Sequence, residues 1–242
     1  AWEAQEKLIE NLAIVKQEEE IERLREAARL ADRIFEELLP MLRPGVQERE
    51  IAAEILARGK RYGAERASFE PIVASGERSA LPHGFASARE LQPGDLLVLD
   101  FGCVVDGYAS DITRTVGIGR LDARKREIYQ VVLRAQRAAI GRVRPEILCQ
   151  ELDAVARDII REAGYGDYFG HSLGHGLGLS VHMEPRIGPG NPKPIPEHAA
   201  ITIEPGIYLP GIGGVRIEDD LVVRSGGAER LSQSSTDLLE LT

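Results

Sequence analysis

The feature that most constrains this chain is a pattern that occurs twice: two amphipathic segments at helical spacing, then a pair of β-prone runs with one acid on each run. In the first copy an apolar stripe runs Ile21, Leu24, Ala28, Ala31, Phe35 and Leu38 and stops before Pro40 and the Pro44-Gly45 turn, which is one face of a helix with its breakers. A second helix is expected over residues 47–62 and a strand over 69–74. The stretch DLLVLDFGCVVDGYASDITRTV then sets two β-branched and apolar runs around Asp106-Gly107, a dipeptide suited to the positive φ angles of a two-residue hairpin turn. In the second copy helices are expected over 122–143 and 148–163, the latter stopped by Gly164. The runs AAITIEPGIYL and GVRIEDDLVV follow, joined through Pro210-Gly211 and Gly213-Gly214. The first pair carries Asp100 and Asp111, the second Glu204 and Glu218, so an internal structural duplication is expected.

The hairpin turn fixes a register. If Val105 pairs with Tyr108, Asp111 falls opposite Gly102, and Asp100, two residues from Gly102, points to the same face. Two carboxylates roughly 7 Å apart on one face repel unless a cation lies between them. If the two halves face each other, four carboxylates converge. Such a cluster would protonate in part unless divalent ions neutralised it, and carboxylates bridging two ions set them about 3.5 to 4 Å apart, a spacing that activates a water held between them. Oxygen-rich ligation with a single imidazole favours Mn²⁺, with Co²⁺, Fe²⁺ or Zn²⁺ as alternatives and a thiolate-type structural zinc excluded.

The segment HSLGHGLGLSVHMEP holds His171, His175 and His182 among glycines. Each glycine costs roughly 1 kcal/mol in a helix, so this is not a helical HExxH zinc site. His83 lies in the loop GERSALPHGFASARELQPGD, and His198 reads as an ordinary loop residue. Cys103 and Cys149 have no metal-binding spacing and read as reduced thiols, which suggests a reducing compartment, by default the cytoplasm. The net charge of -9 argues against nucleic acid or an acidic membrane as partner, and no apolar run approaches the ~20 residues of a membrane span.

DFGCVVDGYASDITRT, HSLGHGLGLSVHMEP, TIEPGIYLPGIGGVRIEDD and SALPHG together resemble the catalytic domain of the creatinase/aminopeptidase (pita-bread) family of dinuclear metallopeptidases. The resemblance is strongest to its proline-specific branch, that of aminopeptidase P and Xaa-Pro dipeptidase (prolidase). It implies an α+β fold of two pseudo-symmetric halves, with a curved, mostly antiparallel sheet covered by helices. It makes residues 14–242 the catalytic domain and leaves 1–13 as a helical lead-in or linker, within an acidic segment of residues 1–20 expected to be helical. Asp100, Asp111, His175, Glu204 and Glu218 are the implied ligands of two divalent ions. His83, His171 and His182 match the family's substrate-site histidines, and Arg216 matches an arginine near the metal centre.

The implied reaction is hydrolysis of the bond before proline in peptides or dipeptides, through a water between the metals, with Glu204 as general base. His83 and His182 are expected to bind the carbonyl or oxyanion and His171 to shape the proline side. The chain departs from the family where Met183 stands in place of a usual glutamate and His198 in place of a usual glycine. The alternatives are a methionine aminopeptidase-like hydrolase and a pseudo-enzyme that only binds peptides. A homodimer is the expected assembly.

Overall fold

The computed structural model describes residues 7–241, so the start of the expected lead-in lies outside the described residues. Helix α1 (Leu8–Leu12) is short and has no buried residue. The chain is not helical over 14–17, where Val15 forms an isolated bridge to Ala199, so the acidic segment is not one continuous helix. The break comes from capping: α2 (Glu18–Leu38) starts where Glu20 accepts a hydrogen bond from the Gln17 backbone at 2.8 Å, the N-terminal half of a capping box. The same chemistry starts α3 (Glu48–Arg61), where Glu50 accepts from the Gln47 backbone at 2.9 Å.

After these helices come β1 (Arg66–Ala67), β2 (Ile72–Ser75), β3 (Leu96–Phe101), β4 (Cys103–Val105), β5 (Tyr108–Ala109) and β6 (Ile112–Ile118). The strand expected at 69–74 begins three residues later, because Pro71 precedes the first ladder residue. β3 to β6 form one long hairpin. Val105 pairs with Tyr108, and the same register continues to Leu96 against Gly117. Asp106 and Gly107 have φ of 46° and 82°, as the two-residue turn requires.

The second half repeats the plan. Asp122 caps α4 (Ala123–Ile140) by accepting from the Lys125 backbone, and α5 (Cys149–Glu162) follows. Strands β7 (Gly174–Gly176) and β8 (Met183–Ile187) carry the histidine segment. Then β9 (Ala200–Ile203), β10 (Gly206–Leu209), β11 (Gly213–Arg216) and β12 (Asp219–Arg224) form a second long hairpin whose inner and outer ladders share one register. β13 (Gly227–Arg230) extends this sheet, and β14 (Glu240–Leu241) runs parallel to β6.

Each half has its own core. Ile34, Phe35, Leu38, Ile51 and Ile55 of α2 and α3 pack on Leu97, Leu99 and Val116 of the first hairpin. Val132, Ala135, Leu152 and Ala156 of α4 and α5 pack on Ile201, Ile203, Ile207 and Leu221 of the second. Burying one such aliphatic side chain contributes about 1.5–3 kcal/mol. The halves meet at the isolated Thr113–Glu218 bridge. Beside it the buried Arg114 pairs with Asp219 at 2.8 Å and donates to the Ser234 carbonyl, while Gln136 donates to the other Asp219 oxygen. No helix among the described residues is long and apolar enough to cross a membrane.

Candidate metal centre

Both hairpins are interrupted midway, and the acids sit at or beside the interruptions. Asp100 is the penultimate residue of β3, Asp111 lies between β5 and β6, Glu204 between β9 and β10, and Glu218 between β11 and β12. In the shared register of the second hairpin Glu204 faces Glu218, since Ile203 pairs with Asp219 and Gly206 with Arg216. The Thr113–Glu218 bridge holds the two interruptions against each other. All four acids and His175 line one cleft of about 960 Å³, together with His83, His171, His182 and Arg216.

His175 shows why the segment is glycine-rich. A Cβ on Gly174 would lie 2.0 Å from the Thr202 carbonyl oxygen, and one on Gly176 2.0 Å from the Glu184 carbonyl oxygen. Only glycine allows β7 to pass that close to β9 and β8, which sets the ring of His175 into the cleft. Its Nδ1 lies 3.1 Å from the Gly176 carbonyl oxygen, which can only accept, so Nδ1 carries the proton and Nε2 a lone pair. That bare nitrogen sits 3.6 Å from Asp111 Oδ2 and 3.5 Å from Glu204 Oε1. Burial holds the imidazole neutral by pushing its pKa down to about 4.

A lone pair facing two carboxylates is repulsive unless a cation joins them. The carboxylates show the same deficit. Asp100 Oδ1, Asp111 Oδ1 and Glu218 Oε1 are buried and have no hydrogen-bond partner, whereas buried polar atoms are ordinarily satisfied. Burial and then the charges of Glu218, Asp100, Asp220 and Glu204 push Asp111 well above the usual carboxylate range. Burial and Glu218 raise Glu204 likewise, and burial with Asp100 lifts Glu218 to about 7. Ligand atoms of Asp111, His175 and Glu218 lie within 4.8 Å of one another. The donor set therefore fits divalent cations.

The other oxygens are held by partners that the sequence alone did not expose. Thr113 Oγ1 donates to Glu218 Oε2 at 2.6 Å, and Asp220 Oδ2 accepts from the Asp111 backbone at 2.9 Å. Arg216, 3% exposed, donates to Asp100 Oδ2, to Thr113 Oγ1 at 3.0 Å, to the Tyr208 hydroxyl at 2.9 Å and to the Pro82 carbonyl at 3.2 Å. It thus pins an acid of the first hairpin from the second. Asp100 and Arg216 signal by position on their strands; Tyr208 gave no signal, because its role depends on meeting His171 of the histidine segment as well as Arg216.

The three remaining histidines of the cleft differ. His171 Nδ1 lies 2.8 Å from the Ser172 carbonyl and Nε2 2.8 Å from the Tyr208 hydroxyl. Nδ1 therefore donates to the carbonyl and Nε2 accepts from Tyr208, so both ring nitrogens are engaged. Burial, with Arg216 nearby, lowers its pKa to about 4. His83 and His182 are exposed on the cleft wall, the His182 ring centroid 4.4 Å from that of His175. Glu184, beside the unusual Met183, also lines the cleft and accepts from Lys7 at 3.2 Å. His198 stands outside the cleft lining with φ of 63°, the left-handed region that favours glycine.

Residues 22–225 match the model of metallopeptidase family M24. The chain is 47% identical to a Xaa-Pro dipeptidase of Pyrococcus furiosus over 232 residues, covering 96% of this chain and 67% of that protein. A Xaa-Pro dipeptidase structure from Bacillus anthracis superposes with a TM-score of 0.97 at 46% identity, over 98% of this chain and 67% of that one. An X-Pro aminopeptidase from Thermotoga maritima does so with 0.95 at 43% identity, over 97% and 67%. The chain thus spans about two thirds of the length of these relatives. With its paired hairpins, its helices and this acid-lined cleft, the chain has the pita-bread fold and belongs to metallopeptidase family M24.

Proposed function

We propose that this chain is the catalytic part of a metal-dependent exopeptidase that hydrolyses the bond between an N-terminal residue and proline. The observation that carries the reading is the bare His175 Nε2 among buried carboxylate oxygens without partners. Asp100, Asp111, His175, Glu204 and Glu218 would hold two divalent ions, with Mn²⁺ the first choice because four of the five donors are hard carboxylates. Such ions supply Lewis-acid activation of water at neutral pH.

The chain's own residues do the rest. Glu204 takes the proton of the attacking water and returns it to the proline nitrogen. Its backbone N–H donates to the Leu173 carbonyl oxygen at 2.7 Å, which ties the glutamate to the histidine segment. His83 and His182, exposed on the cleft wall, donate hydrogen bonds to the substrate carbonyl and to the oxyanion that develops from it. His171, with both nitrogens engaged, shapes the proline side of the cleft beside Phe169, 5.0 Å away between ring centroids. Arg216 orients Asp100 and neutralises part of the cluster's charge.

The reading extends to proline-containing peptides or dipeptides as substrates, to a reducing, cytoplasmic setting supported by two free, buried cysteines, and to a homodimer. The test is to incubate the Mn²⁺-loaded protein with Ala-Pro, Ala-Pro-Ala and Met-Ala-Ser. Cleavage of either proline peptide and not of Met-Ala-Ser is expected. Preference for Met-Ala-Ser would make it a methionine aminopeptidase, and binding without cleavage a peptide-binding module.

A further inference from the structure

Glu48 is the first residue of α3, is fully buried, and belongs to neither half's apolar core. Five donors converge on its carboxylate. The Ser75 backbone and hydroxyl reach Oε1 at 2.8 and 2.7 Å, while Arg78 Nε, the Ser87 backbone and the Ser87 hydroxyl reach Oε2 at 3.1, 3.0 and 2.6 Å. An ionised carboxylate offers about four lone-pair positions and no donor, so these contacts use it in full. Ser75 and Ser87 are the two feet of the loop that presents His83. Arg78, inside that loop, also donates to the Phe85 carbonyl, and the Pro82 carbonyl at its tip accepts from Arg216.

We propose that Glu48 is a positioning residue: it clamps both feet of the 75–87 loop and so sets where His83 meets the substrate. The assignment rests on the Xaa-Pro peptidase reading for its consequence, though the clamp itself does not. Its hydrogen-bond partners include no acid of the metal centre, so Glu48 acts on the His83 loop directly and reaches the metal ligands only at one remove, through the Pro82 carbonyl and Arg216. Glutamine is nearly the same shape, but its amide nitrogen would confront donors in place of an acceptor oxygen, so Glu48→Gln opens one foot of the clamp.

The experiment is a double-mutant cycle in the Mn²⁺-loaded protein, joined to hydrogen exchange. Glu48→Gln is expected to lower kcat/KM on a proline peptide by about 10- to 100-fold, the scale of an ångström-sized misplacement. In the His83→Ala background it is expected to cost less than about twofold, because the residue it positions is already gone. Exchange over residues 76–88 is expected to quicken while bound metal stays at the wild-type level. An equal loss in both backgrounds, or exchange over that loop unchanged, would overturn the proposal. If Glu48→Gln does not fold, Ser87→Ala, which removes one foot's hydroxyl, is judged by the same two criteria. A wild-type protein that cleaves no proline peptide would defeat the functional reading, while the exchange measurement would still decide the clamp.

Discussion

Loading the cleft with Mn²⁺ at pH 7 is expected to expel protons. In the metal-free protein burial and the neighbouring acids lift Glu218 to about 7 and hold Asp111 and Glu204 well above their ordinary values. A group with a pKa of about 7 is about half protonated at that pH, so Glu218 alone supplies about 0.5 proton, and Asp111 and Glu204, raised in the same direction, add to it. The count belongs to the cluster, because the three titrate together. Calorimetric titrations in buffers of different ionisation enthalpy measure it directly: the observed heat should vary linearly with that enthalpy, with a slope of at least about 0.5. The apparent affinity should rise with pH around 7 by the same number of powers of ten per unit. A slope of zero would refute the reasoning, since it would mean that the carboxylates are already ionised and therefore not crowded together.

Three further outcomes follow from the same geometry. In the metal-free protein Glu218, Asp111 and Glu204 are raised by burial and by one another, so the protons they retain and the unfolded chain has lost should make stability increase as pH falls from 8 to about 6.5, by up to about 1.4 kcal/mol per pH unit for each proton retained; His171 and His175, held neutral with pKa about 4, oppose the trend over the same range as the unfolded chain takes up their protons around a histidine pKa of about 6.5. Thermal melts in chelator across that range check this, and stability that falls steadily from pH 8 to about 6.5 would contradict it. Glu204→Gln should lower kcat by about 10²- to 10⁴-fold with the melting curve of the loaded protein little changed, whereas near-full activity would remove Glu204 from proton transfer. Gly174→Ala places a Cβ 2.0 Å from a backbone oxygen of β9, so denaturant unfolding should show a loss of about 3 kcal/mol together with weaker metal binding; an unchanged midpoint would show that β7 and β9 are not so closely apposed.

How far the sequence carries depends on the range of the forces involved. The first hairpin was legible because a two-residue turn at Asp106-Gly107 fixes pairing locally, and the register it sets holds from Val105–Tyr108 out to Leu96–Gly117. The helices were legible to within a few residues of their ends because their stripes and breakers are local. The lead-in was misjudged where glutamate content suggested helix, since Gln17 and Glu20 end the irregular stretch by capping and not by periodicity. His171 read as a substrate-site histidine that shapes the proline side, but the Tyr208 hydroxyl and the Ser172 carbonyl that engage its two nitrogens were not legible. Thr113 was invisible because its value comes from Glu218, which reaches it only when the two hairpins meet, and Tyr208 because it links Arg216 of its own hairpin to His171 of the distant histidine segment. His198 read as a plain loop residue, and nothing in a single sequence announces its left-handed backbone.

The claim on which the rest depends is that the two hairpins bring their acids together around a pair of cations. Diffraction from Mn²⁺-soaked crystals, recorded at the manganese absorption edge, tests it most directly. Two anomalous peaks about 3.5 to 4 Å apart, enclosed by Asp100, Asp111, His175, Glu204 and Glu218, are predicted. Full occupancy of manganese elsewhere on the protein, with no peak between those five side chains, would contradict it.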